Sequence, residues 1–252
     1  AGSSLHAQRG QAAGFVTLSA SLSDGTELVT LFDSGAALYP GLVLLSSDDP
    51  TAVQVSSATG QLTLLDNAPG AVGVRAAVVA TPAFEAATSA SVDVTCNLMP
   101  EVGDIDMGAE SGAPLPADVA VGTTVGIEVR ANTGTTPLGS FALALYYDAT
   151  VAGFVSATAG FEGTLETADN GMGTLRLSGL LVSEGSAGSG LAVVQLVFEA
   201  RSAGAFVFEG SVESLLDRQL PSQSIAAVAG QDVPGTMVAG RVWFVAGSTN
   251  AG

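Results

Sequence analysis

Between Phe141 and Tyr147 the side chains alternate: Phe141, Leu143, Leu145 and Tyr147 fall on every second position, with Ala142, Ala144 and Tyr146 between them. A period of two puts the first four on one face of an extended chain, which predicts a half-buried β-strand. The rest of the chain is cut into similar short segments by turn residues. Phe15–Leu22 and Thr26–Phe32 flank Asp24-Gly25, a hairpin signal, and Gly163–Thr167 and Thr174–Leu180 flank Asp169-Asn170-Gly171. Many short strands separated by Gly, Pro, Asn and Asp predict an all-β sandwich architecture.

At 252 residues the chain is long for one small sandwich and sufficient for two in tandem, each with its own core. The first domain is read over 14–98, with segments at Leu42–Pro50, Ala52–Ser56, Gln61–Leu65 and Val72–Val79, after a disordered or extended start over 1–13. Residues 99–116 carry Gly and Pro too often for a core strand and are read as a linker and lead-in. The second domain spans 117–247. Its further strands are placed at Thr123–Arg130, Val151–Ala157, Ala192–Ala200, Ala205–Glu209, Ile225–Ala229 and Val238–Val245, ahead of a tail over 248–252. Ser211–Arg218 is open to a helical turn, and its length alone does not decide.

The formal net charge is −17, and the basic residues are seven arginines with no lysine. A nucleic-acid partner is thereby disfavoured, because phosphate binding needs a basic face. No apolar run approaches the ~20 residues that span a bilayer, so no membrane insertion is expected, and residues 1–10 show no signal-peptide pattern. The low charge content, 12%, against ~25% in ordinary soluble domains, leaves solubility to Ser, Thr and Gly. That hydroxyl-rich, acidic surface fits an extracellular protein with O-linked glycans, and it fits codon bias equally. No Asn begins an N-glycosylation sequon.

Chemistry-bearing residues are sparse. His6 is the only histidine, which excludes a Ser-His-Asp triad in the ordered part and a multi-histidine zinc site. Gly185–Gly190 lacks the lysine of a phosphate-binding loop and reads as a flexible surface loop. The carboxylate pairs Asp48/Asp49 and Asp104/Asp106 lie in no stretch that suggests a sugar pocket, so no catalytic residue is assigned and no enzyme activity is expected. Glu101, Asp104, Asp106 and Glu110 crowd the lead-in, where hard oxygen ligands suit calcium and a solvated acidic face suits them as well. No other cofactor is implied. Cys96, the only cysteine, reads either as a buried free thiol or as one half of a disulfide to a segment outside this sequence. Trp243 and Phe244 sit in the closing strand, one facing the core and the other a neighbour or an edge-packing site.

Two resemblances add to this reading. The strand ending Tyr147-Asp148, the following Val151–Ala157, the run Gly190-Leu191-Ala192 through Phe198, and Gly204 with Phe206 and Phe208 resemble the cohesin family of β-sandwiches. Ser46, Asp48, Pro50, Val53, Val55, Gly60, Leu62 and Thr63 resemble the bacterial-Ig-like (group 2) domain, with Leu44 where that family usually has Trp. The combination is similar to cohesin/Ig adhesion proteins of animals and to the mastigoneme-type extracellular filament proteins of flagellate algae. It implies a non-enzymatic structural or adhesive module of a larger secreted or cell-surface glycoprotein, with the flagellar surface as the setting of the algal type, whose partners are other copies or other domains of that protein. Two alternatives are a cohesin-type receptor for a calcium-loaded docking domain and a carbohydrate-binding module, the latter poorly supplied with aromatics.

Overall fold

The structure is a computed structural model that describes residues 3–21, 24–28, 31–33, 36–37, 41–68, 70–79, 89–110, 115, 118–182, 186–225 and 240–245. The chain is all-β, built as tandem β-sandwich units, and it divides between Met99 and Pro100.

The first unit contains β1 (Ser3–Ala7), β2 (Ala12–Phe15), β3 (Ala20–Ser21), β4 (Glu27–Leu28), β5 (Phe32–Asp33), β6 (Ala36–Ala37), β7 (Val43–Ser47), β8 (Val53–Val55), β9 (Gln61–Leu64), β10 (Val72–Val78) and β11 (Ser89–Leu98). Its main sheet runs β1-β11-β10-β7, with a second sheet β2-β9-β8 and two two-stranded ribbons, β3-β4 and β5-β6. The hairpin around Asp24-Gly25 forms as expected, with Ala20 opposite Leu28. The start is extended: β1 pairs in parallel with β11, and Leu5 and Ala7 are buried. Burying those two side chains on the sheet offsets the entropy of ordering a chain start that composition alone leaves loose.

The second unit contains β12 (Ile105–Met107), β13 (Asp118–Ala120), β14 (Thr124–Ala131), β15 (Leu138–Tyr147), β16 (Ala152–Ala159), β17 (Gly163–Asp169), β18 (Thr174–Leu181), β19 (Leu191–Ala200), β20 (Gly204–Asp217) and β21 (Gly240–Val245). A four-stranded sheet, β12-β14-β19-β16, faces a six-stranded sheet, β13-β21-β20-β15-β18-β17. Between them lies one continuous apolar core. The alternation of β15 is realised as read, with Phe141, Leu143, Leu145 and Tyr147 all buried. Tyr147 meets Phe198 and Phe206 edge-on, with ring centroids 5.1 and 6.4 Å apart. Phe141 meets Phe161 at 86°. Those two rings fill the space where a Cβ on residue 179 would sit, so only glycine fits there.

Three readings need correction. Ile105–Met107, placed in the linker, is a fully buried strand of the second unit, paired with β14. Flanking Gly103 and Gly108 have φ of 97° and 101°, so the glycines that argued against a strand are the turns that end it. Ser211–Arg218 is not a helical turn: Ser211–Asp217 extends β20, and a bulge opposite Ala142/Leu143 inserts one residue. The buried Val212 and Leu215 are therefore three apart in an extended chain. The closing strand β21 is not an edge, since it lies between β13 and β20. Of Ile225–Ala229 only Ile225 is described, and it is buried. Val238 and the tail over 248–252 lie outside the described residues.

Candidate functional site

The Tyr147-Asp148 ending of β15 serves the fold. The Tyr147 hydroxyl donates to Asp169 Oδ1 at 2.9 Å. Burial first, and then this bond to a carboxylate, pushes the phenol up to about 12. Asp148 Oδ1 accepts from the Thr150 amide at 2.8 Å and from its hydroxyl at 2.6 Å, which turns the chain into β16. The Thr150 hydroxyl and amide together hold the Asp148 carboxyl below the usual carboxylate range. The first unit repeats this turn at Asp49, whose Oδ1 accepts from the Thr51 amide and hydroxyl at 3.1 and 2.6 Å.

The neighbouring Asp48 does something different. It forms a two-pronged pair with Arg75, Nε to Oδ1 at 2.6 Å and Nη2 to Oδ2 at 2.7 Å. This arginine holds the Asp48 carboxyl low. The adjacent carboxylates are thus committed to separate structural tasks, one turn and one ion pair.

The four carboxylates of the lead-in do not converge. Asp106 is buried and paired with Arg130, whose guanidinium also donates to the Gly108 carbonyl and to Glu128 Oε1. Asp104 Oδ2 accepts from the Glu101 amide at 3.1 Å. The Glu110 carboxylate lies against Gly190 instead. Among the described residues no group of three or more His, Cys, Asp or Glu is placed to hold a metal ion. The Asp106–Arg130 pair ties β12 to β14 at the edge of the four-stranded sheet.

Cys96 is a free cysteine with 0% exposure. Burial, with a smaller contribution from the Asp49 charge, pushes its thiol up to about 12. Of its two readings the buried free thiol matches this placement, because a bridge to another segment would require the β1–β11 region to open. Trp243 pairs with Ala205 on one side and Asp118 on the other, and Phe244 with Gly204 and Val119. The Gly185–Gly190 loop is pinned where it is described: Ser186 O accepts from Leu138 N, and Gly188 exchanges bonds with Thr133.

One broad surface stands out in the second unit. On the outward side of the six-stranded sheet, Ser140, Ala142, Ala144 and Tyr146 of β15 lie beside Leu180, Ser178, Arg176 and Thr174 of β18. The small side chains keep this face flat, while Leu180 and Tyr146 rise from it at 56% and 46% exposure. Arg176 Nη1 reaches Glu213 Oε1 at 3.1 Å from the other side of β15. That bridge crosses the strand at the level of Ala144, which is completely buried despite pointing outward. Sequence reasoning missed Tyr146 and Leu180. Their signal was there, as large apolar residues out of phase with the inward positions of their own strands.

Neither a family model nor a curated protein matches the chain. Solved structures similar to it include cohesin modules. The seventh type I cohesin of ScaB from Pseudobacteroides cellulosolvens is 13% identical over 59% of this chain and 96% of that one, with a TM-score of 0.42. CaCohA2 from Clostridium acetobutylicum gives 14%, 60%, 94% and 0.43. A non-cellulosomal cohesin from the archaeon Archaeoglobus fulgidus gives 14%, 57%, 91% and 0.40.

Proposed function

We propose that this chain is a non-enzymatic structural or adhesive module of a larger extracellular protein, and that it joins other copies or domains of that protein. The observation that carries this is the outer face of β15 and β18, where Leu180 and Tyr146 project at either end of a row of small side chains crossed by the Arg176–Glu213 bridge. Small side chains leave little cavity for a substrate and allow a second surface to approach closely, and two projecting apolar groups supply anchors. The cohesin resemblance of Phe141–Asp148 and Gly190–Phe198 keeps a second reading in place: the same face receives a separate docking domain one-to-one. Carbohydrate binding by stacked aromatics has less support. Of the large hydrophobic side chains described as exposed, only Phe15 and Tyr146 are aromatic, one in each unit.

Sedimentation of the 252-residue chain across a wide concentration range tests this directly, with Leu180→Arg as the variant. Self-association that Leu180→Arg weakens at least tenfold while the melting curve stays put is the expected result. A chain that is monomeric throughout and captures a distinct partner one-to-one would replace the first reading with the second.

A further inference from the structure

We infer that the first unit is built to carry tension, with the β1–β11 ladder as its clamp. The two strands run parallel, and their five paired positions extend from Ser3 opposite Val94 to Ala7 opposite Leu98. In a parallel pair the segment before β1 and the segment after β11 leave from opposite ends. Tension between them slides one strand along the other, so all the ladder hydrogen bonds are loaded at once. An antiparallel pair would send both segments out at the same end, and its bonds would open one after another.

The ladder is reinforced on both sides of this geometry. Leu5 and Ala7 are buried, as are Cys96 and Leu98 across from them and Val94 across from Ser3, so sliding β1 exposes apolar surface as well as breaking backbone bonds. The Met99 amide donates to the Ala7 carbonyl at 2.9 Å, which continues the pairing to the last residue before the second unit. Beyond β1, the Gly10 amide is held by the Leu64 carbonyl at 2.7 Å, so the chain is anchored again before β2. Tension passed along the chain from the start of β1 to Pro100 therefore meets this ladder in shear. The purpose of such a clamp rests on the structural role proposed above, but its failure is separable: a weak ladder would leave the association of the β15–β18 face unchanged.

Single-molecule stretching of the full chain tests it. With handles at Ala1 and Gly252 the units are told apart by length released: about 300 Å for the first and about 500 Å for the second at ~3.5 Å per extended residue. A second geometry places one handle at Ala1 and the other on Ser89→Cys, at the exposed start of β11. The buried Cys96 thiol, held protonated, does not compete for the label. Both handles then sit at the same end of the ladder, which opens as a zipper. The expected first-unit force is about threefold or more higher in shear than in the zipper geometry, because bonds loaded together yield together.

Within one residue, N–H and C=O point to the same side of a strand, so the Ala7 amide faces β11 and the His6 amide faces away. Ala7→Pro should therefore lower the shear force at least twofold, and His6→Pro should leave it within error. Equal forces in the two geometries of the unsubstituted chain would overturn the inference, and so would equal effects of the two prolines. The geometry comparison stands by itself if Ala7→Pro does not fold.

Discussion

Among the described residues the strands of the first unit run two to seven residues apart from β11, whereas most strands of the second have seven to fourteen. The difference shows in the cores. In the second unit, long alternating strands deliver Phe141, Tyr147, Phe198 and Phe206 into one continuous interior. One core cluster of the first unit is instead built around Leu31, Phe32, Val43, Leu45 and Ala76. Both units nevertheless leave a strand through the same Asp-x-Thr turn, at Asp49 and at Asp148. Local turn chemistry is shared, and strand length decides how large a core each turn can serve.

The sharpest way to break this contrast is Phe198→Ala. Removing a ring that touches Tyr147, Phe154 and Phe206 should destabilise the second unit by about 3–5 kcal/mol. Calorimetry should show its transition falling while that of the first unit holds. If both fall together, the two cores are not independent.

Arg130→Met comes next. It strands the buried Asp106 carboxylate and should cost the second unit about 3 kcal/mol. Adding Asp106→Leu should restore most of the loss, as measured by denaturant titration, because no charge then stays buried. A double variant no better than the single would show that the pair fixes the position of β12 through more than its charges.

In alkali each unit has its own buried proton holder, and the effect grows only gradually with pH. Cys96 rises from 9.0 to about 12 and Tyr147 from 10.0 to about 12. A group that keeps its proton longer in the folded chain stabilises fully below its unfolded value and loses that contribution as pH rises through the folded one. The first unit should therefore begin to weaken above about pH 9, and the second about one pH unit later. Melting curves between about pH 8 and 12 check the order. Cys96→Ala should flatten the first slope and Tyr147→Phe the second.

Much of the second sandwich was legible because β15, β18 and β19 each run long enough for alternation to be read, and because Asp169-Asn170-Gly171 marks its hairpin. What stayed hidden was set by partners far away in sequence. Three residues are too few to show a period, and the reason Ile105–Met107 is a strand lies in β14 and in Arg130, 24 positions from Asp106. The bulge in β20 sets the buried Val212 and Leu215 three apart, so the alternation of a strand is lost there. The parallel placement of β1 also has no local signal, since nothing in Ser3–Ala7 specifies β11. For the site, spacing gathered four acidic residues that the fold disperses, and it passed over Tyr146 and Leu180, whose meaning depends on which face their neighbours occupy.

Because β12 belongs to the second unit, the seam at which this chain can be recombined is narrow. A gene segment beginning at residue 117 would transplant a sandwich lacking Ile105 and Met107 from its interior, with Arg130 left without its Asp106 partner. One beginning at Pro100 would carry all of them. A segment cut to keep the second core whole therefore starts at Pro100, and Pro100–Glu110, which looks like free spacer, goes with it.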